Sequence, residues 1–118
     1  MGKSINEIQE ELIEEFGLFE DWADKYEYLI DLGKKLAPMS DAFKTEENVI
    51  KGCQSRVWLH AEKQGDLIVF QADSEAIIVK GMISMLIRVL SNHTPAEILA
   101  ADLYFIDQIG MSQHLAQT

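Results

Sequence analysis

The stretch Val57-Trp58-Leu59-His60-Ala61-Glu62-Lys63-Gln64-Gly65-Asp66-Leu67-Ile68-Val69-Phe70 decides the fold. Val57 to Ala61 and Leu67 to Phe70 are short runs rich in β-branched and aromatic residues. Gln64-Gly65-Asp66 between them supplies the chemistry of a hairpin turn. Just upstream, Val49-Ile50 is a brief apolar run, joined to Val57 through Gly52-Cys53-Gln54-Ser55. The reading is three antiparallel strands, the first of them short.

Helical patterns flank this centre. Ser4-Ile5-Asn6-Glu7 is a capping box, and Ile5, Ile8, Leu12 and Phe16 follow on one helical face. Gly17 suits a left-handed residue past the helix end. A second helix starts near Asp21, with Trp22, Tyr26, Leu29 and Ile30 as its apolar stripe and Gly33 ending or loosening it. Pro38 to Asn48 has no period and reads as a long loop. After the strands, Asp73 or Ser74 can cap a helix that runs to about Leu90. That helix is apolar almost all round, which marks it as central and buried. Gly81 inside it costs about 1 kcal/mol relative to Ala, so a close approach of another element is expected there. Thr94-Pro95-Ala96-Glu97 is a second capping box with Pro at the first helical position. Tyr104-Phe105-Ile106 and a turn at Gly110 close the pattern. Two helices, three strands and several further helices make an α+β fold.

The chain has 118 residues, a size suited to one domain spanning 1–118. Hydrophobic residues make up 47% and charged residues 25%, which excludes wholesale disorder. No apolar run is long enough to span a membrane. The start lacks the basic and apolar regions of a secretory signal, and a cytoplasmic setting fits best. The net charge is −10, and the first 31 residues hold ten acidic side chains against Lys3 and Lys25. Such a surface repels phosphate backbones, so nucleic acid is not an expected partner.

Between Glu47 and Glu62 the only formal charges are Lys51 and Arg56, and this basic island holds the only cysteine, Cys53. A lone cysteine in such a chain can be a small buried hydrophobe. The context favours chemistry instead. Gly52 allows a tight turn, Gln54 and Ser55 are polar, and the neighbouring cations favour thiolate over thiol. One cysteine excludes an intrachain disulfide and an all-cysteine metal or cluster site. His60, His93 and His114 lack metal-ligand spacing, so no metal is expected. A Cys–His hydrolase with His60 or His114 stays open, since nucleophile and base can be distant in sequence. His60 reads as a surface or half-buried strand residue. Asp73-Ser74-Glu75 reads as a helix cap, and the acidic first helix as a solvated face.

Gly52-Cys53-Gln54-Ser55-Arg56-Val57-Trp58 resembles the cysteine loop of the SufE-type sulfur acceptors, activators of cysteine desulfurases in iron–sulfur cluster assembly. Lys25-Tyr26-Glu27-Tyr28-Leu29-Ile30-Asp31-Leu32-Gly33 is similar to that family's second helix. Asp73-Ser74-Glu75-Ala76-Ile77-Ile78-Val79-Lys80-Gly81 is similar to its "DSDAxIVKG" segment, with Glu75 in place of a frequent Asp and Ala72 in place of a frequent Gly. Thr94-Pro95 and Gln113-His114-Leu115 also fall in place. The resemblance covers about residues 8–115. Family members usually continue into a further C-terminal helix, which is not expected here. The resemblance implies that Cys53 takes a sulfane sulfur from a pyridoxal-phosphate-dependent desulfurase, with that cofactor in the partner and none in this chain. The sulfur then passes to an iron–sulfur scaffold. It further implies that Lys51, Gly52, Gln54, Ser55, Arg56 and Glu75 bind the partner or support the loop. Val57, Trp58 and the central helix offer an apolar surface, and a resting loop that tucks the Cys53 sulfur against it is expected. The alternative class is a non-covalent binding module in which Cys53 is structural.

Overall fold

The computed structural model describes residues 2–51 and 55–111. Helix α1 (Ile5–Phe16) starts at the expected capping box: Ser4 Oγ accepts from the Glu7 N–H at 3.1 Å, and the Glu7 carboxylate accepts from the Ser4 N–H at 3.0 Å. Two backbone donors that a helix start leaves unpaired are thereby satisfied. Helix α2 (Trp22–Lys34) is capped by Asp21, whose carboxylate accepts from the Asp24 N–H. Strands β1 (Val57–Gln64) and β2 (Leu67–Ser74) pair antiparallel, with Val57 opposite Ser74 and Gln64 opposite Leu67. The hairpin turns through Gly65 at φ 63°, a left-handed conformation that suits glycine. Helix α3 (Ile77–Leu90), helix α4 (Pro95–Ala100) and the single-turn α5 (Phe105–Gln108) follow. Thr94 and Glu97 form the second capping box at α4.

This is the α+β class, with a sheet of two strands among the described residues rather than three. Val49 makes only an isolated bridge to Trp58, and the Ile50 N–H donates to the Val57 carbonyl at 2.9 Å. The two-residue apolar run follows a 3-10 turn directly, so no length remains for a ladder. The stretch read as a long loop carries two single-turn 3-10 helices, Asp41–Phe43 and Glu46–Asn48. Gly17 stays right-handed at φ −66°, because its N–H bonds back to the Ile13 carbonyl and simply closes the last turn of α1. Neither Asp73 nor Ser74 is the N-cap of α3. Both belong to β2, and Ala76 holds the cap position with no side-chain bond. Pairing with Val57 and Trp58 keeps that segment extended.

The main core lies among α1, α2, α3 and α5. Leu12, Phe16, Leu29, Val89 and Phe105 are almost wholly buried, each side chain favouring the fold by about 1.5–3 kcal/mol. Gln9 is buried with them, and its side chain is satisfied. Its Nε2 donates to the Asp102 carbonyl at 3.0 Å, and its Oε1 accepts from the Phe105 N–H at 3.1 Å. That pair pins the start of α5 onto α1. Across the helices, Glu15 accepts from Arg88 and from the Tyr28 hydroxyl, linking α1, α2 and α3.

Helix α2 crosses α3 where two glycines meet. A Cβ built on Gly81 would lie 2.3 Å from the Leu29 carbonyl oxygen, and one on Gly33 would lie 2.8 Å from the Gly81 nitrogen. The expected close approach at Gly81 is therefore present. Gly33 is not a helix terminator; it is the partner glycine of the crossing, one residue before α2 ends.

A smaller core of Val57, Ala72 and Ile83 joins the sheet to α3. The face of β1 carrying Val57 and Leu59 looks toward α3. The opposite face carries Trp58 and His60 and is covered by the segment 41–48, with the Phe43 ring stacked on His60 at 3.8 Å and 9°.

Candidate functional site

Two stems define the site. The first is Val49-Ile50, and the second is Arg56-Val57-Trp58 at the start of β1. They are tied by the Val49–Trp58 bridge and the Ile50–Val57 hydrogen bond. Of the residues expected here, Lys51, Ser55, Arg56 and Glu75 fall within the described structure. Gly52, Cys53 and Gln54 lie outside it, as does the expected packing of the Cys53 sulfur.

Lys51 is exposed, and Ser55 is half-buried. Arg56 is exposed and lies between two carboxylates, 2.9 Å from Glu46 Oε1 and 4.0 Å from Glu75 Oε1. Its guanidinium sits 6.0 Å from the Trp58 ring centroid. The Glu75 N–H and the Ser74 hydroxyl both donate to the Arg56 carbonyl, at 3.4 and 2.9 Å. The structure thus brings Arg56 and Glu75 together, although 19 positions separate them in sequence. Ile50 on the first stem and Ile77 at the start of α3 are exposed apolar residues.

Asp73, read from sequence as a cap, is the anionic centre of this region. Its carboxylate lies 2.8 Å from Lys44 Nζ and 3.4 Å from Lys80 Nζ, and it accepts from the Ser74 N–H. Burial alone would push this carboxyl up. The hydrogen bonds from Lys44 and Ser74, with both lysine charges, outweigh burial and hold it below the usual aspartate value. The same hydrogen bond to Asp73 raises Lys44. Lys44 also lies 5.8 Å from the Trp58 ring centroid. Nothing periodic in residues 38–48 signals Lys44 or Phe43. The only clue was the cluster of charges at 73–75, which local capping rules explain equally well.

Between the sheet and α3 runs an open apolar cleft of about 170 Å³, lined by Ile50, Val57, Leu59, Phe70, Ile83 and Leu90 among others. Its Ile50–Val57 end adjoins the two stems.

The histidines divide. His60 is stacked on Phe43 and has Nε2 3.0 Å from Glu62. His93 is buried, with its ring nitrogens 3.0 Å from the Ser91 carbonyl and 2.9 Å from the Lys3 carbonyl. Both have structural partners. His114 lies outside the described residues. Among the described residues no group of three or more His, Cys, Asp or Glu side chains could hold a metal ion. No described helix is long and apolar enough to cross a membrane.

The model of the SufE "Fe-S metabolism associated domain" matches residues 10–118. The chain belongs to the SufE family. An uncharacterised SufE-like protein of Rhizobium meliloti (strain 1021) is 35% identical over 112 residues, covering 91% of this chain and 80% of the relative. A second, of Rhizobium etli, is 35% identical over 112 residues, covering 91% and 76%. The SufE match spans both stems, the chain between them and the Asp73-to-Gly81 segment.

Proposed function

We propose that this SufE-family chain is a cytoplasmic sulfur acceptor, folded as one domain, that receives persulfide sulfur on Cys53 from a pyridoxal-phosphate-dependent cysteine desulfurase. One observation carries the reading: the family match spans the only cysteine of the chain. In the transfer, the Cys53 thiolate attacks the outer sulfur of the donor persulfide. A new S–S bond forms on Cys53, the donor's S–S bond breaks, and the donor cysteine leaves as thiolate. There is no net oxidation or reduction. The step requires a thiolate, access and docking, and no metal or third catalytic group takes part. Draining sulfur from the donor stimulates it, and the Cys53 persulfide is relayed to an iron–sulfur scaffold.

The surround supports this reading. Lys51 and Arg56 flank the cysteine in sequence and favour its thiolate. Arg56, Glu75, Ile50 and Ile77 form an exposed, mixed surface for a partner, with Gly52, Gln54 and Ser55 giving the loop its small and polar character. In the proposed cycle a carrier gains from shielding its persulfide from small thiols until the partner docks. Incubation with a desulfurase and cysteine followed by intact-mass analysis is the test. The wild-type chain gains the mass of one sulfur atom, and Cys53→Ser gains none, loses desulfurase stimulation and keeps its circular dichroism. Full stimulation by the serine variant would instead establish a non-covalent regulator.

A further inference from the structure

Ser74 is a buried polar residue at the end of β2, 7% exposed and directly opposite Val57 in the strand register. Its polar groups are fully engaged. The N–H donates to the Asp73 carboxylate at 2.8 Å. The hydroxyl donates to the Arg56 carbonyl at 2.9 Å, and the same oxygen accepts from the Ala76 N–H at 3.2 Å. The second contact is the familiar local turn of a serine with the backbone two residues on. The first is long-range and reaches the residue that leads into β1. One hydroxyl therefore joins the approach to β1 to the cap position of α3.

Both ends of this relay have little else to hold them. The Arg56 carbonyl has one further partner, the Glu75 N–H at 3.4 Å, beyond the usual range of such bonds. Ala76 holds the cap position of α3 without a side-chain bond of its own. The side chains carried by the two segments are exposed and stand close together. Arg56 and Glu75 are 48% and 69% exposed and 4.0 Å apart, and Ile77 follows at the first position of α3. A solvated pair of that kind contributes little and cannot fix the arrangement by itself. A hydroxyl sheltered from water, with its donor and acceptor both used, can.

We propose that Ser74 is a positioning residue for partner docking: by joining the Arg56 carbonyl to the Ala76 N–H, its hydroxyl presents Arg56, Glu75 and Ile77 in one arrangement to the cysteine desulfurase. The complementary partner surface offers a carboxylate to Arg56, a cation to Glu75 and an apolar side chain to Ile77. Presenting the three groups already in place spares the partner the cost of ordering them. The inference rests on the proposed sulfur-acceptor function, and its test has one arm that needs no desulfurase.

That arm compares amide hydrogen exchange at Glu75 and Ala76 in free wild type, Ser74→Ala and Ser74→Thr. Exchange at both amides should be about fivefold or more faster in Ser74→Ala, and close to wild type in Ser74→Thr, which keeps the hydroxyl. The second arm measures the concentration of each variant that half-maximally stimulates a desulfurase supplied with cysteine. Ser74→Ala should raise that concentration about fivefold, the scale of one lost hydrogen bond, with maximal stimulation unchanged. Ser74→Thr should stay near wild type. Val89→Ala, which lowers the melting temperature through a cavity in the main core, should leave the half-saturating concentration in place. Unchanged exchange in Ser74→Ala overturns the proposal, as does an unchanged half-saturating concentration. An equal rise in Val89→Ala also overturns it, because docking would then follow global stability. So does a loss shared by Ser74→Thr, because the hydroxyl would not be the agent. A wild-type chain that fails to stimulate overturns the proposed function instead, while the exchange arm still reads the Ser74 anchor on its own.

Discussion

Gly81→Ala is the sharpest test of the packing that supports the site. A methyl at this position would sit 2.3 Å from the Leu29 carbonyl oxygen and 2.8 Å from Leu29 Cγ, whereas ordinary contact begins at 3.4 Å. The carbonyl must retreat by about 1 Å, and it belongs to the hydrogen-bond ladder of α2, so it cannot rotate away as a side-chain tip would. Overpacking of this sort costs about 1–3 kcal/mol, occasionally more, and contact with backbone puts this site at the upper end. Against it stands the helix-propensity gain of about 1 kcal/mol for replacing an interior glycine by alanine. The net loss is about 2 kcal/mol, or a melting temperature lower by about 10 °C for a chain of this size. Urea unfolding followed by circular dichroism should show a lower midpoint with an unchanged slope. Gly33→Ala should behave alike, since its Cβ would meet the Gly81 backbone. The double variant should lose less than the sum, because the first methyl already spreads the helices. A Gly81→Ala protein as stable as wild type would refute the crossing.

Arg56→Glu places a third carboxylate beside Glu46 and Glu75, yet all three groups are substantially solvated. Lost surface pairs of about 0–1 kcal/mol each move the melting temperature only a few degrees. Stimulation of a desulfurase should fall severalfold, and a large thermal loss would instead make Arg56 a structural residue. Tyr28 provides a pH test. Burial first, then the hydrogen bond and charge of Glu15, push its phenol up to about 12. The unfolded chain releases this proton near 10, so the stability tied to it is complete below that pH and is lost as pH rises toward 12. Ultraviolet titration of the folded protein should show a tyrosine ionising close to 12, and Tyr28→Phe should abolish that late step. A Tyr28 phenol ionising near 10 would contradict the Glu15 contact.

What was legible in the sequence follows the range of the forces involved. Ser4 with Glu7 and Thr94 with Glu97 are local hydrogen-bond partners, so their helix starts could be read directly. Leu12 and Phe16 share a face at helical spacing, and the all-round apolar character of α3 announced its central place. Even the crossing at Gly81 was foreseeable, because an unfavourable residue inside a strong helix demands a reason. The failures cluster where a distant partner overrides a local rule. Asp73-Ser74-Glu75 satisfies every local condition for a cap, but Val57 and Trp58 hold it extended and Lys44, 29 positions upstream, takes the carboxylate. Val49-Ile50 has the composition of a strand, but the turn that precedes it leaves room for a single bridge. Both errors lie around the cysteine loop. The described residues on either side of it are joined by a few long-range, partly solvated contacts, Lys44 with Asp73 and Glu46 with Arg56 among them, and those leave no periodic trace in the sequence.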